Sequence, residues 1–142
     1  MFMGQFQHSL DTKGRLIIPA KFRDILDLSF VLTKGLDKCL FVYPKDEWSL
    51  LEQKLKALPF TQKDARAFIR FFFAGAVETE IDKQGRILIP PHLREHAHID
   101  RDVVIIGVSN RAEIWSRELW DKYSEDAALS YEDIAEKIDL GI

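Results

Sequence analysis

Two tight turns, each followed by an arginine, hold the side chains of this chain best suited to chemistry. Asp11-Thr-Lys13-Gly14-Arg15 and Asp82-Lys83-Gln-Gly85-Arg86 each carry a guanidinium just beyond a glycine turn. A guanidinium at the start of a strand can take a phosphate through a forked pair of N–H groups, or read a guanine edge bidentately. Lys13, at a turn tip, suits a point charge on phosphate. Lys83 stands one position earlier in its own turn, so the two turns are not equivalent and the first is the stronger candidate. The same spacing supports a plainer reading, in which Asp11 pairs with Arg15 and Asp82 with Arg86 only to lock each turn. Arg23 and Arg94 recur at matched places late in the following short helices, where a cation can touch phosphate or simply suit a helix C-terminus. Lys21 has only His92 as its counterpart.

Other constellations carry less. His92 and His96 lie four apart and can share a helix face, which is half of a zinc site. His98 falls off that face and Cys39, the single cysteine, lies elsewhere, so neither a metal nor a disulfide is expected. Phe68, Phe71, Phe72 and Phe73 suggest stacking on single-stranded bases. Their helical spacing, with only Arg66 and Arg70 among them, favours core or subunit-interface packing instead. Phe71 is the one expected to face a neighbouring subunit, so Phe71→Asp should lower the oligomer size. There is no phosphate-binding glycine loop, no Gly-x-Ser-x-Gly and no motif-placed Cys–His pair. The expectation is a protein that is not an enzyme, with no cofactor and no small-molecule substrate.

The elements that carry these turns come twice. Asp11 to Arg23 returns 71 positions later as Asp82 to Arg94, with Asp, Gly, Arg, Ile, Pro and Arg at the same spacing. Gln5 to Leu10 alternates as a half-buried strand, and Arg15 to Ile18 resumes as a second. Pro19 ends it and fits the first position of a helix with Phe22, Ile25 and Leu26 on one face. Phe30 to Thr33 and Leu40 to Tyr43 form a hairpin around Gly35 to Lys38. A helix from Pro44 carries Trp48, Leu51, Leu55 and Leu58 until Pro59. Thr61 to Asp64 has the spacing of a capping box for a third helix, whose apolar set is Ala65, Phe68, Ile69, Phe72 and Phe73. Strands at Ala76 to Ile81 and Arg86 to Ile89, a helix from Pro90, and a hairpin from Val103 to Trp115 then repeat the order, with Trp120 answering Trp48. Each half is too small to bury much surface alone. Two halves sharing a core around a pseudo-two-fold axis give an α+β, barrel-like domain with peripheral helices. A doubled, symmetric display of arginines suits a symmetric ligand, and duplex DNA is the commonest.

The 142 residues are 46% hydrophobic and 30% charged, an ordinary globular balance. The apolar run from Phe68 to Val77 is too short for a bilayer, and Met1 to Gly4 lacks the features of a secretory signal. A cytoplasmic protein without a membrane partner is expected. The net charge is −3, yet from Glu125 onward six acids face Lys137 alone, giving −5 there and +2 for the rest. Nucleic-acid binding would therefore rest on a local basic face multiplied by self-assembly.

The doubled Asp-x-x-Gly-Arg-(three aliphatics)-Pro-x-x-(apolar)-Arg segment resembles the signature of the AbrB/SpoVT superfamily of swapped-hairpin DNA-binding domains. Two tandem copies, the opening Met-Phe-x-Gly, Leu40 to Trp48 and the Phe-rich helix between the halves are similar to the MraZ family. The resemblance spans Met1 to about Trp120. It implies a nucleoid-associated transcriptional regulator that binds direct repeats in double-stranded DNA, upstream of a division and cell-wall gene cluster. It also implies a ring-shaped homo-oligomer, with Arg15 and Lys13, and more weakly Arg86, Lys83, Arg23 and Arg94, meeting DNA. The organisation expected is a first repeat at 1–58, a connecting helix at 59–75, a second repeat at 76–123 and an acidic tail at 124–142. The alternative is an antitoxin-like DNA-binding module whose acidic tail holds a partner protein. A metal enzyme built on His92 and His96 is a distant third.

Overall fold

The structure, a computed structural model, describes residues 1–139 and 141. The first half runs β1 (Gln5–Ser9), β2 (Arg15–Ile17), α1 (Ala20–Leu26), β3 (Ser29–Lys34), β4 (Leu40–Pro44) and α2 (Lys45–Lys56), with α3 (Lys63–Ala74) leading out of it. The second half repeats the order as β5 (Val77–Glu80), β6 (Arg86–Leu88), α4 (Pro91–His96), β7 (Asp102–Gly107), β8 (Ala112–Ser116) and α5 (Arg117–Leu129), followed by α6 (Tyr131–Ile138).

The halves exchange strands. A six-stranded antiparallel sheet has the order β1-β7-β8-β4-β3-β5, so the first strand of each half pairs with the other half's third strand. Exchanging the halves maps this order onto its own reverse, and the axis of that exchange passes between β4 and β8. The ladder is not closed into a full barrel, because β1 and β5 are the two edges. β2 and β6 pair separately as a short ribbon, Leu16 opposite Ile87. This ribbon lies over the sheet. Leu16, Ile18, Ile87 and Ile89 turn inward to join Phe22, Leu26, Phe30, Leu32, Leu93 and Val103 in one core. Phe22 meets Phe2 and Phe6 edge-to-face, with ring centroids 5.1 and 5.2 Å away. Neither half owns this core, which is why the sequence needs both.

A second cluster covers the outer side. Trp48 of α2 stacks on Phe72 of α3 at 5.5 Å, while Trp115 of β8 meets Trp120 and Tyr123 of α5. Beneath it Glu113 is buried but fully engaged, accepting from Arg111 at 2.7 and 3.0 Å and from Trp115 Nε1 at 3.0 Å. Burial pushes the thiol of Cys39 and the phenol of Tyr43 upward in pKa. A thiol so held stays protonated and unreactive.

Two sequence expectations need correction. Pro19 and Pro90 precede their helices rather than occupy the first turn, which Ala20 and Pro91 fill. The capping box at Thr61 does not form: α3 starts one residue later, after Gln62, with no side-chain cap. Pro59 is the reason, since its carbonyl takes the Gln62 amide and carries the turn past Thr61. In the acidic tail, α5 runs on through position 124 to Leu129, and α6 follows as an amphipathic helix. Residues 140 and 142 of that segment lie outside the described residues.

Candidate nucleic-acid interface

Each turn is built by one carboxylate. Asp11 Oδ1 accepts the amides of Lys13 and Arg15, both at 2.9 Å, while its Oδ2 accepts Arg15 Nε at 2.7 Å. Asp82 repeats this with the amides of Gln84 and Arg86 and with Arg86 Nε, all at 2.9 Å. The amide hydrogen bonds from Arg15 and Arg86, followed by their guanidinium bonds, hold both carboxyls below the usual aspartate range. Both Asp–Arg locks anticipated from spacing are therefore present. They use Nε and leave the terminal guanidinium nitrogens of Arg15 without a protein partner among the described residues. Arg86 is more occupied: its Nη2 donates to Gln84 Oε1 at 3.1 Å and its Nη1 lies 4.0 Å from Asp11. Their side chains remain 31% and 24% exposed, so neither is sealed in the core.

The ribbon brings the two turns together in opposite directions. Register sets Arg15 opposite Leu88 and Ile17 opposite Arg86, so these four side chains share the outer face while Leu16 and Ile87 take the inner one. The carbonyl of Gly85 accepts the Ile18 amide at 2.9 Å, and that of Gly14 accepts the Ile89 amide at 3.0 Å. Each turn is thus tied to the other half.

Arg23 and Arg94 complete the crossing, and this placement had no signal in the linear order. Gly14 has φ +80°, and a Cβ there would stand 3.2 Å from Cζ of Arg94. Gly85 has φ +79°, and a Cβ there would meet Nη1 of Arg23, with Cζ at 2.9 Å. Glycine is therefore required twice over, by left-handed backbone and by the guanidinium laid across it. Each helix arginine serves the turn of the opposite repeat. Arg94 Nε is buried with no hydrogen-bond partner among the described residues. Counting Lys13, Arg15, Arg23, Lys83, Arg86 and Arg94 against Asp11 and Asp82 leaves a balance of +4 (six minus two) on one surface of an acidic chain. Lys13 and Lys83 are exposed at the tips.

The histidines go elsewhere. His92 and His96 direct Nε2 at two different carbonyls, Gly75 and Gly35, each at 3.2 Å. No group of three metal-ligating side chains comes together among the described residues. Of the phenylalanines, Phe72 is buried, Phe73 half-buried, and Phe68 and Phe71 exposed. No described helix is long and apolar enough to cross a membrane.

Comparison with known proteins gives a consistent picture. A family model described as "MraZ protein, putative antitoxin-like" matches twice, at residues 1–71 and 72–140. A Heliobacterium modesticaldum protein named transcriptional regulator MraZ is 67% identical over 138 residues, covering 97% of this chain and 96% of its own. A Caldanaerobacter subterraneus protein of the same name is 66% identical over 139 residues, covering 98% and 97%. Another from Pelotomaculum thermopropionicum is 66% identical over 145 residues and covers both chains completely.

Proposed function

The chain belongs to the MraZ family, and from that premise we propose that it is a transcriptional regulator that binds double-stranded DNA in a sequence-specific way. Its operator is a set of direct repeats upstream of a division and cell-wall gene cluster. It works there as a ring-shaped homo-oligomer, each subunit offering its ribbon and paired turns, in the manner of AbrB/SpoVT-like swapped-hairpin domains. The repeats at 1–58 and 76–123 supply those turns, with 59–75 as connector and 124–142 outside the DNA contact.

The observation that carries this reading is the crosswise clustering of six cationic side chains around an outward-facing ribbon. Arg15 is the principal base reader, since Asp11 fixes its Nε and leaves the fork free. Pre-fixed guanidinium groups lose little freedom on binding. Lys13, Lys83, Arg23 and Arg94 supply phosphate contacts, and Arg86 is the weaker reader because Gln84 already holds one arm.

A gel-shift titration with upstream DNA carrying two or more repeats tests the assignment. Arg15→Ala should lose about 1–3 kcal/mol per site, roughly five- to 150-fold, and more than Arg86→Ala. Arg15→Ala binding as tightly as the parent would refute it. The family's description as putative antitoxin-like and the exposed stripe of α6 favour one second reading, an antitoxin-like module whose tail captures a partner protein. Co-purification of a stoichiometric second protein would distinguish it.

A further inference from the structure

Two large aliphatic side chains stand in water where the ribbon faces outward. Ile17 is 48% and Leu88 54% exposed, while their neighbours Leu16, Ile18, Ile87 and Ile89 are sealed in the core. Antiparallel strands with one buried face ordinarily set polar residues on the other. Both repeats break that pattern at the matched position, the middle of the three aliphatics that follow each arginine.

Register turns the exception into an arrangement. Leu88 lies directly opposite Arg15, and Ile17 directly opposite Arg86. The outer face therefore has four corners, with guanidinium groups on one diagonal and aliphatic groups on the other. Side chains paired in this way stand about 4.5–5.5 Å apart at Cβ, and successive nucleotides of one DNA strand about 3.4 Å apart along the helix axis. Each guanidinium thus has an aliphatic neighbour within reach of the adjoining base pair.

The hydrogen-bonding capacity of this face is one-sided. Arginine only donates, and isoleucine and leucine neither donate nor accept. The acceptors nearby are engaged, Asp11 and Asp82 by their own turns and Gln84 Oε1 by Arg86. In the major groove, which admits a two-stranded ribbon, guanine shows two acceptors, and thymine an acceptor with a methyl group beside it. Cytosine and adenine show amino donors there, and a donor buried without an acceptor is costly. The ribbon matches guanine through its arginines and has an apolar surface left over.

We propose that Ile17 and Leu88 are specificity-determining residues, which close on the C5-methyl groups of thymines neighbouring the guanines read by Arg15 and Arg86. The inference rests on the proposed DNA-binding reading and adds a base that reading does not assign.

The test replaces the thymines of the upstream duplex by deoxyuridine, which keeps base pairing and removes only the methyl groups. Affinity of the parent chain in a gel-shift titration should fall by about fourfold per contacted methyl. The double variant Ile17→Ala, Leu88→Ala should bind the thymine and uracil duplexes alike. The uracil comparison uses the parent chain alone, so it stands whatever the double variant does to folding. Equal affinity of the parent for both duplexes overturns the proposal, and so does a double variant that still prefers thymine. A double variant of lower mass than the parent in light scattering would put Ile17 and Leu88 in a subunit contact, which also refutes it. If Arg15→Ala loses affinity while uracil changes nothing, this inference fails and the DNA-binding reading survives. A parent chain that binds no upstream duplex ends both.

Discussion

Asp11, Gly14 and Arg15 act as one device, because the carboxylate that closes the turn is also the group that aims the guanidinium. Gly14 and Gly85 extend the device across the molecule, since each lies beneath an arginine of the other half. The two glycines share nearly the same φ, so an alanine costs both about 1–2 kcal/mol of left-handed strain. They differ in what the new methyl meets. At Gly14 the nearest atom, Cζ of Arg94, is 3.2 Å away and needs to give only slightly. At Gly85 the methyl would displace the Arg23 guanidinium outright. The Arg23 head is the free end of a flexible side chain and can swing aside, so Gly85→Ala and Gly14→Ala should lose similar stability in chemical denaturation. Gly85→Ala should weaken DNA binding more, by removing Arg23 from its place. Equal losses of DNA binding would mean that Arg23 contributes nothing where it lies.

The strands explain why the gene carries two copies in one chain. β1 pairs with β7, β5 with β3, β2 with β6 and β4 with β8, so four of the six pairings that define the fold run between halves. A fragment ending at residue 75 keeps the β3–β4 hairpin but exposes one side of β3 and leaves β1 and β2 unpaired. Unpaired edges of this kind recruit a second chain. The fragment should sediment as a dimer that rebuilds the ribbon from two copies of Arg15–Ile17, and a folded monomer would contradict the exchange. Much of this was readable in advance. Alternation marked β1, the β-branched run marked β2, and the recurrence of Asp11 to Arg23 as Asp82 to Arg94 revealed the doubling. What spacing could not convey was partnership. Arg23 lies eight residues from Arg15, yet it serves Gly85, because β-pairing is long-range and leaves no periodic trace. α3 was misjudged at its start for a related reason: Thr61 has the right neighbours for a cap, but Pro59 shifts the turn past it.

The whole chain is acidic while its ribbon surface is basic, and the two facts are reconciled by geometry. The negative excess from Glu125 onward lies on α5, on α6 and just beyond it, and the cationic turns flank the ribbon, so the two signs of charge stand on different elements. One ribbon offers few phosphate contacts, and few contacts give modest affinity that falls with salt. Joining subunits changes this without adding any contact, since a second repeat is then bound at the effective concentration set by the first. A rigid ring should bring that gain to about a hundredfold or more in affinity. The comparison that isolates it uses Phe71→Asp, the substitution expected to lower the oligomer size, against the parent on two DNAs. On a duplex holding a single repeat, both proteins should bind alike, because the ribbon is untouched. On a duplex holding several repeats at operator spacing, only the parent should gain. If Phe71→Asp gained as much as the parent, subunits would be finding the repeats independently. If it bound the single repeat more weakly, Phe71 would be part of the DNA-binding surface rather than of the assembly.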